Sequence, residues 1–324
     1  MVSQRSFRLG SYRKLEVHQF KVHEDIDLGF ELFNLENSGI EFTETKEGKY
    51  KIYTWEQKEK EKENIYGDDE YDMYYTPHIV PYIKSFTING TKTDVFNELG
   101  DLYKWYYSLV EQVNPSEKEE LKLLADSLTN GAETELEKVK RIYYWVQNKV
   151  KYIAFGDGYG GFIPRDPDLI YERRFGDCKD MSCLTISLLK ELEIPAYFTW
   201  VGTRSIPYGY SKLFTPQVDN HMIATYIDES GSKYFLDATD SYLEFGRPSA
   251  FIQGKEVLIS FDKEKYEVAE VPVLSPLVNS EIEKVKVRIE DGKLIGNGEV
   301  LFTGYYAGDV FRDFNNADQE RLKN

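Results

Sequence analysis

Cys178 stands in the run Phe175-Gly176-Asp177-Cys178-Lys179-Asp180, which leads directly into Met181-Ser-Cys-Leu-Thr-Ile-Ser-Leu-Leu-Lys190. A glycine turn opens a helix here, and the cysteine falls in its first turn. The first N–H groups of a helix have no intrahelical acceptor, and the macrodipole makes that end positive. A thiolate is stabilised at such a place, and the free N–H groups can hold an oxyanion. Asp177 is the expected N-cap, its carboxylate accepting from the exposed donors. Lys179 is expected to add a positive charge beside the sulfur. A buried structural cysteine is the alternative; what separates the two is the company the cysteine keeps downstream.

Asn220-His221 is followed by Met222-Ile-Ala-Thr-Tyr-Ile227, which reads as a strand. Lys233-Tyr-Phe-Leu236 reads as a second and runs into Asp237-Ala-Thr239, with the turn-forming Asp228-Glu-Ser-Gly231 between them. An antiparallel hairpin of this kind brings the start of the first strand close to the end of the second. His221 and Asp237 then complete what a thiol nucleophile requires: a base for the thiol proton and a carboxylate to orient the imidazole.

At these residues the sequence resembles the transglutaminase-like superfamily of cysteine enzymes. The resemblance rests on Arg174-Phe-Gly-Asp-Cys-Lys-Asp180, Leu188-Leu-Lys-Glu-Leu-Glu-Ile-Pro-Ala196, Asn220-His221 and Leu236-Asp-Ala-Thr239, in the family's order, and covers roughly Leu121 to Ile259. More narrowly, it is similar to the bacterial branch in which a β-rich domain precedes the transglutaminase-like one. The resemblance implies an α+β, papain-like core, with a central helix packed on an antiparallel sheet and β-rich flanks. It also implies Cys178 as nucleophile, His221 as general base and Asp237 as the orienting acid.

The activity so implied is acyl transfer from an amide of a peptide or protein through a thioester on Cys178. Water is the acceptor in a protease or amidase, an amine in a cross-linking enzyme; hydrolysis is favoured, because no feature marks an amine-binding site. The alternative from another class is a non-catalytic peptide- or glycan-binding module that keeps the fold.

Composition bounds the remaining possibilities. The 324 residues exceed one average domain, and 41% hydrophobic with 30% charged residues suits a globular protein. The 25 tyrosines favour strand-rich sheets. A net charge of −16 argues against nucleic acid or an anionic membrane as partner. No apolar run reaches transmembrane length, so no membrane insertion is expected. The first residues, Met1-Val-Ser-Gln-Arg5, lack the apolar core of a signal peptide. An exported location, periplasmic or at the cell surface, is the expectation for a chain whose leader has been removed or lies outside this stretch.

Cys178 and Cys183 are the two cysteines. At about 100° per residue, Cys178 falls beside Thr185 and Leu189 while Cys183 points outward with Lys190, so they cannot bridge on an intact helix. With four scattered histidines they make no credible metal site, and no cofactor is expected.

Along the chain, residues 1–91 read as a β-rich domain, 92–265 as the catalytic domain, and 266–324 as a linker with a β segment. The last either starts a further domain or adds to the N-terminal sheet. Leu15, Val17, Phe20 and Val22 alternate with a phase slip that suggests a bulge. Gly39–Thr45, Lys49–Trp55 and Tyr82–Ile88 supply further strands, and His78 is expected in a loop. The charged stretch from Glu56 to Asp72 reads as a solvated connection. A helix is expected from Val95, another from Ser116 to Asn130, and a third capped by the box Thr134-Glu-Leu-Glu137. The cluster Tyr143-Tyr-Trp145 is read as core. Phe155-Gly-Asp-Gly-Tyr-Gly-Gly-Phe-Ile-Pro164 and Ile206–Pro216 are expected to border the substrate cleft, where Tyr152 and Tyr159 are expected to pack the cleft wall, a side-chain oxyanion donor from either being the alternative. Asp291-Gly292 is expected to turn a hairpin near the C-terminus.

Overall fold

The computed structural model describes residues 4–7, 15–58, 72–113, 119–156 and 158–316. In chain order the elements are β1 (Arg5–Ser6), β2 (Leu15–His23), β3 (Ile26–Phe33), β4 (Ile40–Glu47), β5 (Tyr50–Lys58), β6 (His78–Ile88), β7 (Thr91–Asp94) and α1 (Leu99–Val110). Then come α2 (Glu119–Thr129), α3 (Glu135–Lys149), β8 (Lys151–Tyr152), α4 (Pro167–Arg173), β9 (Phe175–Gly176), α5 (Cys178–Lys190) and β10 (Ala196–Val201). The chain continues through β11 (His221–Ile227), β12 (Lys233–Leu236), β13 (Glu256–Ser260), β14 (Tyr266–Glu270), β15 (Glu281–Glu290), β16 (Lys293–Phe302) and α6 (Tyr305–Asn316). This is the α+β architecture expected from the sequence.

The chain divides into two compact units. The first comprises residues 1–112, 200–221 and 255–269, the second 113–199, 222–254 and 270–324. In the first, β6 pairs with β3 on one side and with β1 and β7 on the other, while β2, β5 and β4 form a separate sheet in that order. Phe7, Val22, Tyr53, Trp55 and Ile79 make its core. The expected bulge is absent from β2, which pairs with β5 without a break from Leu15↔Lys58 to His23↔Tyr50. The apparent phase slip arises because Leu15 and Val17 lie on the exposed face and Phe20 and Val22 on the inner one. The register shift occurs instead in β3, between Asp27 and Leu28.

His78 is not a loop residue. It opens β6, is fully buried, stacks on Phe33 and holds the Thr76 carbonyl through Nδ1 at 2.7 Å. The helix expected from Val95 begins only at Leu99, after β7 has used Thr91–Asp94. Ser116 and most of the Glu56–Asp72 stretch lie outside the described residues.

In the second unit α5 is buried on nearly every side and packs with α2, α3 and α4. Met181, Leu184, Leu188 and Leu189 of α5 share a core with Val139, Ile142 and Val146 of α3 and with Ala224, Tyr226 and Leu236 of β11 and β12. A helix enclosed all round explains why Cys183 does not point outward with Lys190. It is buried, and burial pushes its thiol up to about 12. Thr134 caps α3 by accepting from Glu137 N–H at 3.2 Å, but the Glu137 carboxylate reaches back to Glu133 N–H rather than closing the box on Thr134. Among the described residues β15 and β16 pair only with each other, through a turn with φ of 50° at Asp291 and 73° at Gly292. That left-handed pair is what a two-residue hairpin requires.

Candidate functional site

The start of α5 is over-determined by local chemistry. Asp177 is the N-cap, accepting from Asp180 N–H at 3.3 Å, while the Asp180 carboxylate accepts from Asp177 N–H at 3.0 Å. This reciprocal box makes Cys178 the first helical residue, half-buried at the positive end of the helix. Only glycine suits position 176, because a Cβ there would lie 2.7 Å from Asp180 Cβ.

Asp180 itself is completely buried and held by Arg165, whose N–H donates at 2.8 Å and whose guanidinium makes two further bonds to Oδ2. Burial alone would raise the Asp180 carboxyl. Arg165 and the N–H of Asp177 more than offset that and hold it below the ordinary carboxylate value. Arg165 also stacks over Phe155 at 4.2 Å and Phe175 at 5.6 Å, tying the glycine-dense stretch to the root of α5. Arg165 was not identified from the sequence, since nothing local announces a partner fifteen residues away.

The Lys179 ammonium is committed to a neighbouring carboxylate. It forms a buried ion pair with the Asp177 carboxylate. Burial pushes that carboxyl up and the ammonium opposes the shift.

His221 stands at the head of β11 and closes a segment of the first unit. The residues just before it are anchored there. Asn220 holds Thr203 through both ends of its carboxamide, at 3.0 and 3.1 Å. Asp219 accepts from the hydroxyls of Tyr106 at 2.6 Å and Tyr210 at 2.7 Å. Burial pushes the Asp219 carboxyl up to about 7, against the pull of those two bonds. The next residue, Met222, belongs to the second unit, where its carbonyl accepts from Ser182 Oγ at 3.1 Å. The same hydroxyl reaches the Cys178 carbonyl at 2.8 Å, so the first turn of α5 and the beginning of β11 are pinned together.

Asp237 follows β12, which pairs antiparallel with β11 from Ala224↔Leu236 to Ile227↔Lys233. Its carboxylate is buried among hydroxyls: Thr239 donates to Oδ1 at 2.6 Å and Ser249 to Oδ2 at 2.5 Å. Its carbonyl accepts from Tyr143 at 3.1 Å, and Gln147 holds the carbonyls of Asp240 and Leu243 at 2.7 and 2.8 Å. Tyr143 is therefore core, as expected, with a hydroxyl that supports this loop. Asp240, the next acid along, is partly exposed and pairs with Arg312 at 3.2 Å.

Of the two tyrosines left open by the sequence, Tyr159 is 73% exposed. The Tyr152 hydroxyl is pushed up by partial burial and then by the charges of Cys178, Asp177 and Asp237, while 44% of the residue's surface stays exposed. Among the described residues, no group of three or more His, Cys, Asp or Glu side chains is placed to hold a metal ion.

Residues 122–231 match the model of the transglutaminase-like superfamily. A candidate protease from Parabacteroides distasonis superposes with a TM-score of 0.55 at 15% identity over 80% of this chain, which spans 45% of that protein. A candidate cysteine protease from Cytophaga hutchinsonii gives a TM-score of 0.32 at 14% identity, over 93% of this chain and 86% of its own. Calcium-bound LapG from Legionella pneumophila gives 0.34 at 12% identity, over 56% and 92%. The first of these shows a shared fold. Comparison with curated proteins gives no match.

Proposed function

We propose, from the match of residues 122–231 to the transglutaminase-like superfamily model, that the protein is a cysteine-dependent enzyme that cleaves or transfers amide acyl groups of peptides or proteins. The observation that carries the reading is the place of Cys178, half-buried on the first turn of a helix whose cap and root are locked by Asp177, Asp180 and Arg165.

In this reading His221 accepts the Cys178 proton as the sulfur attacks the amide carbon. The N–H groups at the start of α5 take the developing oxyanion. Collapse of the tetrahedral intermediate expels the amine, which takes the proton back from His221 and leaves a thioester on Cys178. Water, activated by the same imidazole, releases the acid; an amine acceptor in its place yields a new amide. Asp237 holds the imidazole's tautomer and favours its charged form. Two features support the assignment: the Ser182 hydroxyl, which ties the root of α5 to the residue after His221, and the β11–β12 pairing, which directs Asp237 towards the same end of the strands.

The test is turnover of a peptide-substrate library by wild type, Cys178→Ala, His221→Ala and Asp237→Asn, with and without an added primary amine. Background activity is expected for the first two variants and a smaller loss for the third, the effects being non-additive. Release of free acid in the presence of amine identifies hydrolysis. Unchanged activity in all three variants would overturn the catalytic reading.

A further inference from the structure

β8 has one edge bonded and one edge open. It runs parallel to β9, with Lys151↔Phe175 and Tyr152↔Gly176 in register. Lys151 N–H donates to Arg174 O and Ile153 N–H to Gly176 O, both at 2.8 Å. Along a strand, backbone groups of alternate residues face the same neighbour. The N–H and C=O of Tyr152 therefore face away from β9. No further strand joins that edge among the described residues, and residues 151–156 are all exposed.

The position of this edge gives it significance. Gly176, opposite Tyr152, lies two residues before Cys178. Tyr152, Ile153 and Phe155 leave roughly two-fifths of their surface exposed, and Arg165 stacks over Phe155 while bonding Asp180 at the root of α5. An open strand edge offers paired donors and acceptors to an extended chain, and flanking apolar side chains supply selectivity.

We propose that the open edge of β8 at Tyr152 binds an extended peptide backbone by strand addition, delivering to Cys178 an unfolded or loop segment with an apolar side chain near the reacting amide. The proposal rests on the reading of Cys178 as nucleophile. A helical segment is excluded as a ligand, because its backbone groups are already bonded to one another.

The probe is acetyl-Ala-Ala-Leu chloromethyl ketone, compared with chloroacetamide as a thiol reagent that lacks a peptide backbone. Labelling of Cys178 and Cys183 is followed by mass spectrometry. With each rate divided by that reagent's rate towards free glutathione, the peptide reagent is expected to modify Cys178 at least tenfold faster than chloroacetamide does. N-methylation of one particular residue of the reagent should abolish the advantage, a tenfold change being the worth of about 1.4 kcal/mol.

Tyr152→Pro deletes the outward N–H without touching the two ladder bonds, and should lower the ratio of the two rates; Tyr152→Phe should keep it. Should the proline variant not fold, the N-methyl series on the wild type decides alone. A peptide advantage insensitive to N-methylation at every position, or no advantage at all, overturns strand addition. Preferential labelling of Cys178 by chloroacetamide in that same experiment would leave the nucleophile standing. Failure of chloroacetamide to prefer Cys178 over Cys183 would instead refute the nucleophile.

Discussion

Ser249 donates its hydroxyl to Asp237 Oδ2 at 2.5 Å from twelve residues further along, while Thr239 occupies Oδ1. A buried carboxylate served from both sides by hydroxyls has lost its water and regained charge-assisted hydrogen bonds in a fixed direction. Removing one donor takes a charge-assisted hydrogen bond away from a buried carboxylate. Ser249→Ala should therefore cost about 1.5–3 kcal/mol in urea unfolding. A variant as stable as wild type would show that the bond contributes nothing net.

The two cysteines should differ sharply towards iodoacetamide. Cys178 is half-buried at a helix N-terminus, whereas Cys183 is buried with its thiol pushed up to about 12. Near neutral pH in the folded protein, peptide mapping should find Cys178 modified and Cys183 intact, with Cys183 appearing only after denaturation. Equal modification of both in the native protein would contradict this.

Arg165→Ala should destabilise the second unit by about 3 kcal/mol, because it leaves Asp180 buried without its guanidinium. Arg165→Lys should recover only part of that loss, a single ammonium being unable to match the fork. The Asp180 carboxyl is lower in the folded chain than its ordinary 3.8. Its contribution is thus present above that value and lost as pH falls below it. Arg165→Ala should accordingly unfold at a higher pH than wild type in an acid titration followed by circular dichroism.

Asp219 has the opposite sign. Its folded value of about 7 lies above the ordinary 3.8, so the folded state holds the proton more tightly than the unfolded one. The resulting stability is complete below about pH 4 and declines as pH rises towards 7. Lys255, lowered by burial to about 8, acts above this window. The change in urea midpoint between pH 5 and pH 7 should be smaller in Asp219→Asn than in wild type. An identical pH dependence in the two proteins would remove Asp219 as its source.

The sequence determined what short-range chemistry can specify. Gly176-Asp177 announces the start of α5, because a tight approach and an N-cap are both settled within four residues. Asp291-Gly292 announces its hairpin because both positions must take positive φ. The alternation in β5 and β15 and the helical period of α3 are legible for the same reason: each depends on neighbours one turn or one pleat away. The reading of Cys178, His221 and Asp237 came from motif order, which tertiary contacts do not enter.

Tertiary structure decided everything that depends on a partner remote in the chain. Helical geometry alone predicts that Cys183 faces solvent, but α5 is enclosed by three helices and by residues of β11 and β12, so it has no outward face there. The proline beside it predicts a loop for His78, yet β3 and β6 place it against Phe33. The bonds Arg165–Asp180, Ser249–Asp237 and Tyr106–Asp219 span 15, 12 and 113 residues. No pattern in the intervening residues encodes such a pairing. It exists only when the fold takes a carboxylate out of water and the nearest surviving donor is whatever side chain the packing has brought there.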